Sequence, residues 1–112
     1  MEDVKKNQAE AEEVTLTAEQ EEMALYEGAV KKFGERAQLL QAIEEMTELS
    51  KAILKYIRFQ DFGHGTEAEV MAQIAEERAD VEIMLNQLHV IFGDNSEAEC
   101  LALDALHDLL ED

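Results

Sequence analysis

The chain has no proline, and its five glycines leave residues 35–62 and 66–92 free of both helix-disrupting residue types. Proline removes a backbone donor and clashes with the preceding turn, and interior glycine costs roughly 1 kcal/mol relative to alanine, so two such long stretches favour helix. Abundant Ala, Glu, Leu and Met point the same way. The expected fold is all-α, and 112 residues suit one domain. Three Thr/Ser-x-x-Glu/Gln words, at Thr17–Gln20, Thr66–Glu69 and Ser96–Glu99, read as capping boxes. They predict a first helix from Thr17 to about Phe33, ended by Gly34, and a third over about 67–92. A last helix should follow Gly93-Asp94-Asn95 and run to about Leu110. The second helix should occupy about 35–60, closed by the loop Asp61-Phe62-Gly63-His64-Gly65. Helices two and three, of near-equal length and shortly connected, are expected to form an antiparallel hairpin with flanking helices, four-helix-bundle-like. Such a hairpin with two short partners hides its core poorly, which favours a homodimer or homotetramer.

The net charge of −18 is uneven. Residues 1–30 hold nine acids and two lysines, 31–78 nine acids and seven bases, and 79–112 nine acids and no base. Phosphate neutralisation needs clustered Lys and Arg, so nucleic-acid binding is not expected. Residues 1–16 read as an acidic, mobile or weakly helical tail before a helical domain at 17–112. Lone Cys100 offers no internal disulfide, and no apolar run reaches the roughly 20 residues of a membrane span. Without the apolar core of a signal peptide, a soluble cytoplasmic protein is expected.

Two acidic words stand out inside the long helices: Glu44-Glu45-Met46-Thr47-Glu48 and Glu76-Glu77-Arg78-Ala79-Asp80. E-x-x-E and E-x-x-D place two carboxylates on one helical face. On a wheel with Glu45 at zero, Glu48, Gln38, Gln41 and Lys55 lie within about 80° of it. Leu39, Ile43, Met46, Ser50, Ile53, Leu54 and Ile57 span an arc from about 80° to 180°, read as the core face with Glu45 and Glu48 at its border. On the third helix Glu77 and Asp80 are embedded among Val70, Ile74, Val81, Met84, Leu85 and Leu88. Ionised carboxylates on a core face need a counter-ion, a proton or a metal. In an antiparallel hairpin the two pairs differ in level by only a few Å at about 1.5 Å rise per residue, so the four acids can meet. Four carboxylates suit a hard divalent cation such as Mg²⁺, with Mn²⁺ as a possible substitute.

The runs QLLQAIEEMTELSKAILKYIR and IAEERADVEIMLNQL resemble the MazG-type all-α nucleoside triphosphate pyrophosphohydrolases, particularly small single-domain members of phages and prophages. The likeness covers about residues 33–90, including the Phe33-Gly34 step and Gln38. It implies that Glu45, Glu48, Glu77 and Asp80 bind Mg²⁺ and that water attacks the α-phosphorus of a nucleoside triphosphate, releasing pyrophosphate and a monophosphate. Glu44 becomes a candidate further ligand or water holder. Lys51, Lys55, Arg58 and Arg78 become candidate phosphate contacts, Gln38 a hydrogen-bond partner of the nucleotide, and Phe33 a stacking surface for its base. Residues 79–112 lack the bases with which many members of that family hold phosphates.

Other readings stay open for the same residues. Lys51, Lys55 and Arg58 equally suit ion pairs with a glutamate on their own helix, and Phe33 suits core or interface packing. His64, His89 and His107 have no ligand-like spacing, and no acid is followed three residues later by the histidine that a di-iron bundle requires. The alternative function is a catalytically inactive relative, or an acidic helical binding protein that mimics DNA.

Overall fold

A computed structural model describes residues 15–111. Most of the expected acidic tail, residues 1–14, lies outside the described residues. The described chain is four helices with no strand: α1 (Ala18–Phe33), α2 (Glu35–Phe62), α3 (Glu67–Phe92) and α4 (Ser96–Leu110).

The boundaries follow from local chemistry. Thr17 caps α1 with the reciprocal pair expected of a capping box: its hydroxyl accepts from the Gln20 N–H, and the Gln20 side chain accepts from the Thr17 N–H. Gly34, at φ +90°, then separates α1 from α2 with a single residue. Its N–H donates to the Val30 carbonyl, and its own carbonyl accepts from Gln38, so one residue ends one helix and starts the next. Gly63 closes α2 in the left-handed conformation, and Thr66 opens α3 by accepting from the Glu69 N–H. The proposed box at Ser96 does not form. Asn95 occupies the cap position without a side-chain bond, and the Ser96 hydroxyl donates to Asp94 instead. Asn is as good a cap formally as Ser, and the helix starts there.

Helices α2 and α3 form the hairpin, and α1 packs mainly on α3 and less on α2. Tyr26 is buried at that junction, donating its hydroxyl to Glu22 and accepting from the Asn86 amide at 3.4 Å. Gln38 and Gln87 are buried between α2 and α3, with the Gln38 amide donating to the Gln87 carbonyl oxygen at 2.6 Å. Helix α4 packs against none of the other three among the described residues.

The face of α2 turned to its neighbours is not the predicted apolar arc. Its buried residues are Gln38, Ala42 and Ala52, with Gln41, Glu45, Leu49, Tyr56 and Phe59 half-buried. That face is centred on Glu45. Of the arc assigned to the core, Leu39 is half-buried, whereas Ile43 is 62% exposed, and Met46, Ile53, Leu54 and Ile57 are exposed as well. Small and polar side chains let α2 and α3 approach closely, leaving the larger apolar groups outside the hairpin. Thr47 and Ser50 face outward too, each donating back to the carbonyl four residues earlier. On α3 most of the expected stripe does face inward: Val70 and Met84 are buried, and Ile74, Glu77, Asp80, Val81 and Leu88 are half-buried, while Leu85, at the edge of the stripe, is 46% exposed.

Candidate metal centre

The antiparallel register is visible in the cross-pairs Gln38–Gln87 and Glu45–Asp80, which sit two turns apart on each helix. One carboxylate oxygen from each of Glu45, Glu77 and Asp80 lies within 4.8 Å of the other two, and all three residues are half-buried. Glu45 owes its place to the inward centre of α2, and Glu77 and Asp80 owe theirs to the i,i+3 spacing on the inner stripe of α3. Gln41 fixes Glu45, donating its amide to the carboxylate at 2.7 Å.

Glu48 is not part of this close group. It is exposed on the next turn, 3.5 Å from the Lys51 ammonium. Its charge still reaches the centre. The Glu77 carboxyl is held above the usual range by partial burial first, and then by the negative charges of Asp80, Glu48, Glu45 and Glu76. Three oxygen donors gathered from two helices, one of them favouring its proton in the absence of a cation, form a donor set of the kind hard divalent cations take. The residues present therefore fit Mg²⁺ or Mn²⁺.

The remaining sequence candidates separate. Glu44 is exposed and outside the group, as is Arg78 on α3. Gln38 is buried, and its amide is engaged by Gln87. Phe33 is 58% exposed at the end of α1, with the Lys32 ammonium 5.5 Å from its ring centroid. Lys51 has the carboxylate partner of the ordinary ion-pair reading. Lys55 and Arg58 line a cavity with His64, Gly65, Glu69 and Gln73 at the turn end of the hairpin.

Gln87 and Gln73 are not among the residues that the sequence singles out, and His64 stands there only as a histidine without ligand-like spacing. Gln87 and Gln73 were accessible from the wheel, at about 280° and 320° with Glu77 at zero, inside the arc that proved to face α2. His64 gave no periodic signal because it sits in a loop. A second cluster that could hold a cation, His107, Asp108 and Glu111, is exposed at the end of α4. Comparison with protein-family models, curated proteins and solved structures finds no match for this chain. The resemblance to the MazG-type enzymes therefore rests on the quoted residues alone.

Proposed function

We propose that this protein is a divalent-cation-dependent nucleoside triphosphate pyrophosphohydrolase, acting as an oligomer. The observation that carries this reading is the convergence of Glu45, Glu77 and Asp80, with the Glu77 carboxyl pushed up by burial and by its acidic neighbours. These three residues would hold Mg²⁺, which when bound neutralises the phosphates and makes a nearby water more acidic. Glu48 stands at the edge of the group on the same face of α2, where it can accept the proton of the attacking water. The water oxygen bonds to the α-phosphorus, the α–β bridging P–O bond breaks, pyrophosphate departs and the nucleoside monophosphate remains. Gln41 keeps Glu45 oriented. Phe33, exposed beside the α1–α2 junction, offers a stacking face for the base.

A second copy of the chain is the proposed cover for the outer arc of α2. Ile43, Met46, Ile53, Leu54 and Ile57 are exposed apolar residues along the outer arc, with Thr47 and Ser50 between them, and a helix surface of this kind can pair with itself about a two-fold axis. The alternative of an acidic binding protein draws on the −18 charge, but surface charge alone does not require carboxylates to converge inside a helix pair.

Incubation with each NTP and dNTP and Mg²⁺ should yield pyrophosphate and the monophosphate from at least one of them. No release from any nucleotide, together with no Mg²⁺-dependent rise in melting temperature, overturns the enzyme reading.

A further inference from the structure

Helix α4 is formed but unsupported. It packs against none of the other three helices among the described residues, and every residue from Ser96 to Leu110 is exposed. On a wheel with Ser96 at zero, Ala98, Ala102, Ala105, Leu106 and Leu109 fall between about 180° and 280°, with Leu103 and Leu110 following at about 320–340°. A groove of about 580 Å³ separates this face from α3, lined by Leu85, Leu88 and Phe92 on one side and by Ala98 and Ala102 on the other. The Phe92 side chain in it is 71% exposed.

The chain thus leaves two long apolar faces without a partner, this one and the outer arc of α2. Their lengths agree. At about 1.5 Å rise per residue, the 15 residues of α4 span about 22 Å, and the arc from Ile43 to Ile57 spans about 21 Å. Their charges differ. Helix α4 carries Glu97, Glu99, Asp104 and Asp108 with no Lys or Arg, whereas the α2 arc is bordered by exposed Arg36, Lys51 and Arg58, at about 180–240° with Glu45 at zero. Pairing α4 with α4 would set acids against acids and leave α2 bare, and pairing α2 with α2 would leave α4 bare. One contact, α4 on α2, covers both faces and brings unlike charges to its border. The two helices do not touch within one chain, so the contact joins two copies.

We infer that α4 is an exchanged arm: in a two-fold dimer, the α4 of each copy clasps the outer arc of α2 in the other, and that arc fills the groove between α3 and α4. The arrangement is self-complementary, as a two-fold requires, because each copy gives one α4 and receives one. The 15 residues of α4 together with the arc approach the roughly 20–30 residues that each side of a standard stable interface contributes. Apolar burial drives the contact, and the exposed pairs at its border add little beyond setting its direction. The inference rests on the reading that a second copy covers α2 and names the element that does so; it is independent of the enzyme reading.

The test is complementation between two variants of the full chain. Leu106→Asp, mid-way along the α4 face, and Ile53→Asp, on the α2 arc, both change exposed positions, and thermal melting by circular dichroism checks that each still unfolds cooperatively. At about 0.5 M salt, where like charge is screened, the parent should sediment as a dimer or larger and each variant alone as the smaller species. A mixed dimer keeps one α2–α4 contact free of both substitutions, which neither variant's own dimer has. With one variant labelled with nitrogen-15, native mass spectrometry of the equimolar mixture should therefore show mixed dimers in about tenfold or greater excess over either variant's own. A Leu106→Asp protein that assembles like the parent overturns α4 as the cover while leaving a second copy on α2. A mixture no better associated than its components overturns the exchange. A parent that stays monomeric at every salt concentration removes both the exchange and the oligomer it rests on.

Discussion

Two influences act in one direction on Glu77: partial burial, and the negative charges of Asp80, Glu48, Glu45 and Glu76. Its carboxyl holds its proton to higher pH in the folded chain than in the unfolded one. The resulting stabilisation is complete below the unfolded value of about 4.3 and is lost as pH rises through the folded value. The melting temperature of the metal-free protein should therefore fall across that window, and Glu77→Gln should flatten the fall. An equally steep profile in the variant would remove the assignment. Above the window, added Mg²⁺ should restore stability by binding only the folded state. Asp80→Asn removes one of the mutually repelling charges, so it should abolish Mg²⁺-dependent hydrolysis while leaving the fold intact or more stable. A folded Asp80→Asn protein with undiminished turnover would contradict the role given to that residue.

At the scale of the helix pair, the buried Gln38–Gln87 bond is the polar contact that ties α2 to α3 above the carboxylates. Gln87 is 5% exposed, so Gln87→Ala leaves the Gln38 amide without its partner in a place water reaches poorly. The expected cost is about 1–3 kcal/mol in urea unfolding, and replacing both residues with Leu should recover most of it. A double variant no better than the single one would show that the pair does more than satisfy itself. The helices themselves were legible from Gly34, Gly63, Gly93 and the threonine caps, because those signals are local. The inner stripe of α3 was also legible, since its acids and its apolar residues fall on one face. The inner face of α2 was not. Its large apolar residues were assigned to the hairpin core, but hydrophobic periodicity identifies a face that avoids water without naming what covers it. In α2 the close contact is made by Ala42 and Ala52, whose small size carries little weight on a wheel. The centring of Glu45 in the helix interface, and with it the exclusion of Glu48 from the close group, follows from that rotation.

The whole molecule sets this exposed apolar surface against a strong like charge. Ile43, Ile53, Leu54 and Ile57 on α2, and Leu101, Leu103, Leu106, Leu109 and Leu110 on α4, are all at least 44% exposed. A helix of 15 residues such as α4 is marginal in water without packing, so its leucines too call for a partner surface. Burying a Leu or Ile side chain contributes roughly 1.5–3 kcal/mol, which makes several such residues per copy enough to drive association. Two copies at −18 each repel, and salt screens that repulsion over a Debye length of about 10 Å at 0.1 M. The proposed assembly should therefore tighten as salt rises, opposite to an interface held by complementary charges. Sedimentation of the full chain at a fixed low concentration should shift from smaller to larger species between about 0.01 M and 0.5 M salt. Ile53→Asp, on the outer arc and away from the carboxylates, should hold the chain in the smaller species at both ends of that range. Association that weakens with salt, or an Ile53→Asp protein that assembles like the parent, would exclude the outer face of α2 as the contact.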